Sequence, residues 1–505
     1  MTNSLRAALA LGDPQQVSAL IDAGADIRYL VEADYDALID AVHGRDVLND
    51  SRLLELLTLL IDSGVSVTGM STYGESGIRE LSRLGRFDAV HLLLKAGANP
   101  DDIRFTKLIE AVAFGSLADV EAVIDRGVDL EEQDFWERTA WLVAVQTGDI
   151  PKARLLLASG TRRDVTGRCD KPPLFYAIEN GHLPMLEWLI DIGVDLHQTD
   201  EFDDTALATA AESDSVEAVK ILLKAGADVN QGSSWKCALS EAHSREVAMT
   251  LLEAGADPQE LSSEGRRAIL GYPLEPDPDL LRTSMEEFRK WRLRRFGTYN
   301  PEVWNNPFWE GMIRSGVNAY QAETLIEGQR DILGRPGPVW CAQRFGQSLT
   351  FLPDGRIVQI AGEHEDGSDP DFCIYNDVFV HDTNGNIAIY GYPEAVFPPT
   401  DFHTATLIGD KIYLIGSLGY QGRRQHGETP VYHLDTSTFQ MEQLETTGDK
   451  PGWIHHHRAV LSSDHEIQVT CGIVLTNTEG LEIFSLNSAM FTLNIETLVW
   501  TKTSN

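Results

Sequence analysis

Apolar residues along the first half of the chain fall into short clusters that end on a glycine. Asp204-Thr205-Ala206-Leu207 is followed by Val219-Lys220-Ile221-Leu222-Leu223, then by Gly226-Ala227-Asp228-Val229-Asn230. The spacing predicts a short inner helix over 205–211 and an outer helix over 216–225. Gly226 then stands just past the helix end, where positive φ is least costly without a Cβ. The same wording recurs around Gly24, Gly64, Gly97, Gly127, Gly160, Gly193, Gly226 and Gly255, with four of the seven intervals at 33 residues and the others at 40, 30 and 29. Pro151 and Pro184 fall at the start of outer helices, where a missing N–H costs little. One such unit cannot bury Val219, Ile221, Leu222 and Leu223 alone, so neighbouring units must stack.

A period near 33 that ends in Gly-Ala-Asp or Gly-Val-Asp resembles the ankyrin repeat family over residues 1–260. The resemblance implies an α-solenoid of about eight repeats that serves as a binding surface. The family's Thr-Pro-Leu-His wording is replaced here by Thr139-Ala140-Trp141 and Thr205-Ala206-Leu207, and the 40-residue interval implies an insertion around Gly44 to Asp50. Ankyrin arrays project a loop between repeats whose tip faces a partner. Carried over residue by residue, the resemblance places Phe135, Trp136, Glu137, Glu201, Phe202, Asp203 and Trp235 at these tips. Aromatic side chains ringed by carboxylates are expected to act as partner-binding anchors with a polar rim.

Beyond Gly255 the repeat stops, and residues 261–338 read as a helical junction and linker. Met285 to Phe296 predicts a helix with Phe288, Trp291 and Arg295 on one face, and it is the one strongly basic cluster. That helix is expected to dock on acidic surface of its own chain. From residue 344 the hydrophobic period becomes two. Ser348 to Gly362 reads as strand, turn, strand, with counterparts from Thr404 to Gly416 and from His457 to Gly472. Further strand pairs follow the first two copies, at Asp377 to His381 with Asn386 to Tyr390, and at Thr429 to Leu434 with Thr438 to Gln443. Residues 339–505 therefore resemble kelch repeats, with about three antiparallel blades. The family's paired glycines are replaced by Ala361-Gly362, Gly416-Ser417 and Cys471-Gly472. Three blades fall short of a typical propeller, and open sheet edges offer a route to self-association. The fold class expected is multidomain α + β: solenoid, helical junction, antiparallel β domain.

Charge narrows the partner. The net charge of −36 divides into −23 for residues 1–260 and −13 for the rest. Nucleic acid and anionic membranes are disfavoured, and a basic protein partner is favoured. No apolar run approaches the ~20 residues of a membrane span. The five cysteines are scattered and form no Cys-x-x-Cys pair, which suits a cytoplasmic setting.

Chemistry is thinly represented. Glu363 to Asp371 is the most metal-like stretch, through His364 and Asp366. His403 and His457 occupy equivalent places in successive copies and are further candidate ligands. Hydrolase-elbow, phosphate-loop, dinucleotide and His-Glu-x-x-His signatures are missing. The expected function is non-catalytic protein binding, with no cofactor, as a bacterial immunity or inhibitor protein or as an adaptor. The alternative is a metal-binding protein or enzyme sited on the kelch-like half.

Overall fold

The computed structural model describes residues 2–44, 47–233, 236–274, 277–328, 339–364 and 372–503. It forms two compact units, Met1–Glu241 and Ala242–Asn505.

The first unit is built from antiparallel helix pairs, seven among the described residues. Three of them illustrate the repeat: Ala140–Gln146 with Ile150–Ala158, Pro173–Glu179 with Leu183–Asp191, and Ala206–Glu212 with Val216–Ala225. Each inner helix is short and buried nearly all round: Ala140–Gln146 and Pro173–Glu179 pack on the inner helices of both neighbours as well as on their own partners, and Ala206–Glu212 packs on its partner, on Pro173–Glu179 and on the strand Lys236–Cys237. The outer helices bury a single stripe; Val216–Ala225 buries Ala218, Val219 and Leu222. Thr106, Thr139 and Thr205 fall on the 33-residue period, with Pro172 at the intervening place, and cap their inner helices, their hydroxyls accepting from Ile109, Leu142 and Ala208 N–H. Each such cap contributes roughly 1 kcal/mol. Gly226 ends its helix in the left-handed region at φ 98°. The long 40-residue interval inserts between the inner helix Ala37–Val42 and the outer helix Leu53–Asp62.

The last repeat is irregular. Its outer helix forms over Arg245–Glu253, but no inner helix precedes it among the described residues. The Ser240 hydroxyl instead accepts from the Cys237 N–H and donates to the Cys237 carbonyl. That local side-chain pairing competes with the helical hydrogen bond and holds a turn.

In the second unit, helices Pro307–Ser315 and Ala319–Glu327 bring an aromatic core against the first sheet. Trp309 stacks on Trp340 at 4.8 Å, and Trp340 meets Phe379 at 5.6 Å. The basic helix is shorter than its sequence pattern, Met285–Trp291. Arg289 pairs with Glu327 at 3.7 Å, and Arg292 at the helix end pairs with Glu323 at 3.0 Å and with Glu327 at 3.5 Å.

Three antiparallel sheets follow. The first runs Ser348–Phe351, Ile357–Ile360, Val378–His381 and Ile387–Gly391, with Glu302–Trp304 added at its edge. The second runs Thr404–Ile408, Lys411–Ile415, Val431–Asp435 and Met441–Gln443. The third runs Arg458–Ser463, Glu466–Thr470, Met490–Asn494 and Val499–Thr503, closed by a parallel pairing with Thr447–Gly448. A separate three-stranded sheet is formed by Trp453–His455, Ile473–Thr478 and Leu481–Leu486. The first strands of the three main sheets are linked in sequence. Phe402 N–H donates to Gly346 O at 2.9 Å and His456 N–H to Phe402 O at 3.1 Å. Gly346, Phe402 and His456 share positive φ (60°, 46° and 51°), so one backbone device joins the three sheets. Among the described residues the sheets form neither a closed barrel nor a closed propeller.

Candidate protein-binding surface

The loops that precede the inner helices are tight hairpins. Asp134 N–H donates to Arg138 O, Gly167 N–H to Lys171 O and Asp200 N–H to Asp204 O. In two of them an aspartate folds the turn from within: Asp134 accepts from the Trp136 and Arg138 N–H groups, and Asp200 from those of Phe202 and Asp204. Aspartate suits this place because its short carboxylate reaches backbone donors two and four residues on.

Adjacent hairpins are stitched together at the same point of each repeat. Phe135 N–H donates to Ile103 O, Arg168 N–H to Trp136 O and Glu201 N–H to Cys169 O, each at 3.0 Å. The 33-residue period of the sequence thus becomes a backbone ladder running along the hairpin tips. Positive φ recurs at these turns, at Cys169 (63°) and, on the repeat period, at Arg104 (52°), Glu137 (59°), Asp170 (55°) and Asp203 (62°). The last three are exposed and form no ion pair among the described residues.

The predicted aromatic anchors divide in two. Phe135 is half-buried, with Arg79 at 4.1 Å and Arg104 at 5.6 Å over its ring. Trp136 is half-buried too; its indole N–H donates to Arg79 O at 3.1 Å, and Arg168 lies 5.5 Å from its ring. These rings tie one hairpin to the next. Phe202 is 56% exposed and Lys236 reaches over it at 5.5 Å. Glu201 is exposed beside it and holds the Cys169 thiol, whose pKa is raised by that hydrogen bond. Trp235 lies outside the described residues. A cavity of about 300 Å³ opens beside Trp136, Arg168, Lys171, Tyr176 and Phe202.

Beneath the tips, Arg138 is fully buried. It pairs with Asp134 at 2.6 Å, and donates to Ser82 O, Ser82 Oγ and Gln146 Oε1. The guanidinium fork thus ties the hairpin both to the helix Gly77–Arg83 and to its own repeat's helix Ala140–Gln146.

The sequence singled out Glu137 and Asp203 but passed over Asp170, although it stands 33 residues from each. Asp170 lacked an aromatic neighbour of the kind that drew attention to the other tips, and period alone was the signal that marked it.

The candidate metal ligands form no three-residue set among the described residues. Asp366 lies outside the described residues. His364 is buried in the short strand Glu363–His364. His403 and His457 are buried and place Nε2 against the hydroxyls of Ser348 and Thr404, both at 2.9 Å. Burial pushes both imidazoles down to about 3. Among the described residues, the set with three ligand atoms mutually within 4.8 Å is His43, Glu75 and Glu80, in the first unit. Its carboxylates are already engaged, Glu80 by Arg83 and Glu75 by Tyr35.

Comparison with known proteins agrees with the repeat. A family model described as ankyrin repeats (3 copies) matches residues 108–200 and 174–262. A 185-residue stretch is 31% identical to the ankyrin repeat and KH domain-containing protein mask-1 of Caenorhabditis elegans; the match takes in 30% of this chain and 7% of that protein's length. Among solved structures, the human ASB11 ankyrin repeat domain matches 50% of this chain and 98% of its own at 20% identity, with a TM-score of 0.23. Residues 108–262 therefore carry ankyrin repeats, whose general role is protein–protein interaction. No helix among the described residues is long and apolar enough to cross a membrane.

Proposed function

We propose that the repeat unit is a non-catalytic surface that holds a basic protein segment along its hairpin tips, acting as an inhibitor or adaptor by occupancy alone. The observation that carries this reading is the row formed by Glu137, Asp170 and Asp203: one carboxylate per repeat, exposed, without an ion pair among the described residues, and fixed by the backbone ladder. An extended chain with lysine or arginine at regular intervals would meet the three in succession. Phe202 supplies an apolar contact at the end of the row, and the net charge of −36 steers a cationic partner inward. Phe135 and Trp136 support the row and do not lead it. The kelch-like reading of the second unit is proposed alongside, on the shared plan of its three sheets and the hydrogen bonds joining their first strands. On the same footing, residues 261–338 are proposed as the junction between a binding module and a β scaffold.

The test is a cationic peptide array probed with wild-type protein and with a Glu137→Lys, Asp170→Lys, Asp203→Lys variant. Wild type is expected to retain lysine- and arginine-rich peptides at low salt, and the variant to bind them at least about tenfold more weakly. The tips are exposed, so thermal unfolding should be little changed. Equal retention by both proteins would remove the basis of the reading.

A further inference from the structure

The hairpin of Ile473–Thr478 and Leu481–Leu486 turns through Glu479-Gly480, both at positive φ (54° and 86°). This is the two-residue turn that strand twist favours, and register runs unbroken from Thr478↔Leu481 to Ile473↔Leu486. Trp453–His455 pairs with the far side of Ile473–Thr478, which leaves Leu481–Leu486 as the edge of its sheet. In such a hairpin the pair flanking the turn is hydrogen-bonded. Leu481, Ile483 and Ser485 therefore direct their backbone groups at the neighbouring strand, and Glu482, Phe484 and Leu486 direct theirs outward.

This edge lacks the usual protections. Leu481, Ile483, Phe484 and Leu486 are 72%, 44%, 55% and 85% exposed. The strand holds no lysine, proline or bulge. Its one charge, Glu482, is already held by Arg424 at 2.6 Å and His426 at 3.0 Å. A locally neutral, apolar edge on a chain of net charge −36 offers nothing to a basic partner and repels a second copy less than any carboxylate-bearing surface would.

We propose that Leu481–Leu486 pairs antiparallel with the same strand of a second copy, about a two-fold axis at Phe484. Outward-directed residues must meet outward-directed residues, so this register sets Phe484 against its own equivalent and Glu482 against Leu486. Like charges do not face each other, and the aromatic pair adds a cross-strand contact. A six-residue edge covers less than the roughly 800 Å² per partner of a standard stable interface, so the dimer follows concentration.

Sedimentation velocity of the full chain from about 1 to 200 µM tests this, because a small interface belongs to the micromolar range. Wild type is expected to shift from monomer to dimer, and Phe484→Lys and Phe484→Glu each to remain monomeric with circular dichroism unchanged. Since residue 484 faces itself, an equal mixture of the two variants should recover association. A wild type that stays monomeric, single variants that associate as it does, or a mixture that stays monomeric would each overturn the proposal. Amide exchange on the wild type supplies a reading that needs no variant. The Glu482, Phe484 and Leu486 N–H groups should exchange at least about tenfold more slowly at high concentration than at low. Exchange that is fast at both would also overturn it.

Discussion

Arg138→Met is expected to destabilise the repeat unit by about 3–5 kcal/mol, the range for breaking a buried ion pair from one side. Arg138 and Asp134 are both buried, and the guanidinium also serves Ser82 and Gln146. Removing it leaves the Asp134 carboxylate out of water with only the Trp136 and Arg138 N–H groups as donors. Adding Asp134→Asn should recover much of the loss, because the amide carries no charge to be stranded and still accepts from those backbone groups. Urea unfolding of wild type, both single variants and the double variant measures this as a cycle. A loss below about 1 kcal/mol for Arg138→Met would mean that the pair is far better hydrated than its burial indicates. The variant should also weaken cationic-peptide binding, since the hairpin carrying Glu137 rests on this arginine.

Acid is expected to unfold the β unit early. Burial holds His403 and His457 neutral with pKa values near about 3, and lowers His455 to about 3 and His381 to about 4. In the unfolded chain a histidine titrates near ~6.5. At pH 7 both states are neutral and the stability is intact. Below about pH 6.5 the unfolded chain takes up protons that the folded chain refuses, so stability falls as pH falls toward the depressed values. Each histidine contributes a slope of about 1.4 kcal/mol per pH unit, and His403 with His457 alone account for on the order of 5 kcal/mol by pH ~4.5. Asp401 and Glu260 act in the opposite sense: burial raises the first and pushes the second to about 7, so the folded state binds their protons more readily and the decline is moderated. Urea midpoints at pH 7.0 and pH 4.5, read by the β signal in circular dichroism, report the net effect. His403→Gln with His457→Gln should flatten the pH dependence by nearly two protons even if it lowers stability at neutral pH.

The hairpin tips show where sequence reading stopped. Phe135 and Trp136 looked like exposed anchors because loop aromatics beside carboxylates have that composition. In the fold, Arg79 from the helix Gly77–Arg83 and Arg104 from the preceding loop reach Phe135, and Arg168 from the following hairpin lies over Trp136. Asp134, one of the carboxylates beside those aromatics, is buried by the stacking and paired with Arg138. The eighth repeat carries the expected glycine wording and its outer helix, but the Ser240 side chain takes the place of helical bonding in the inner segment. His403 and His457 were read as equivalent positions, which they are, since each approaches the hydroxyl that opens the preceding sheet. Their equivalence serves the packing of one sheet on the next.

What the sequence by itself determined was the 33-residue period, the helix pairs, the glycine stops and the alternation that marks the strands. These depend on contacts within a unit or with an identical neighbour, so local pattern carries them. Which carboxylates stand free, which arginines are consumed and which strand is left as an edge depend on residues tens of positions apart. Only the tertiary structure decides those, because burial and pairing of a charge are properties of what surrounds it in space.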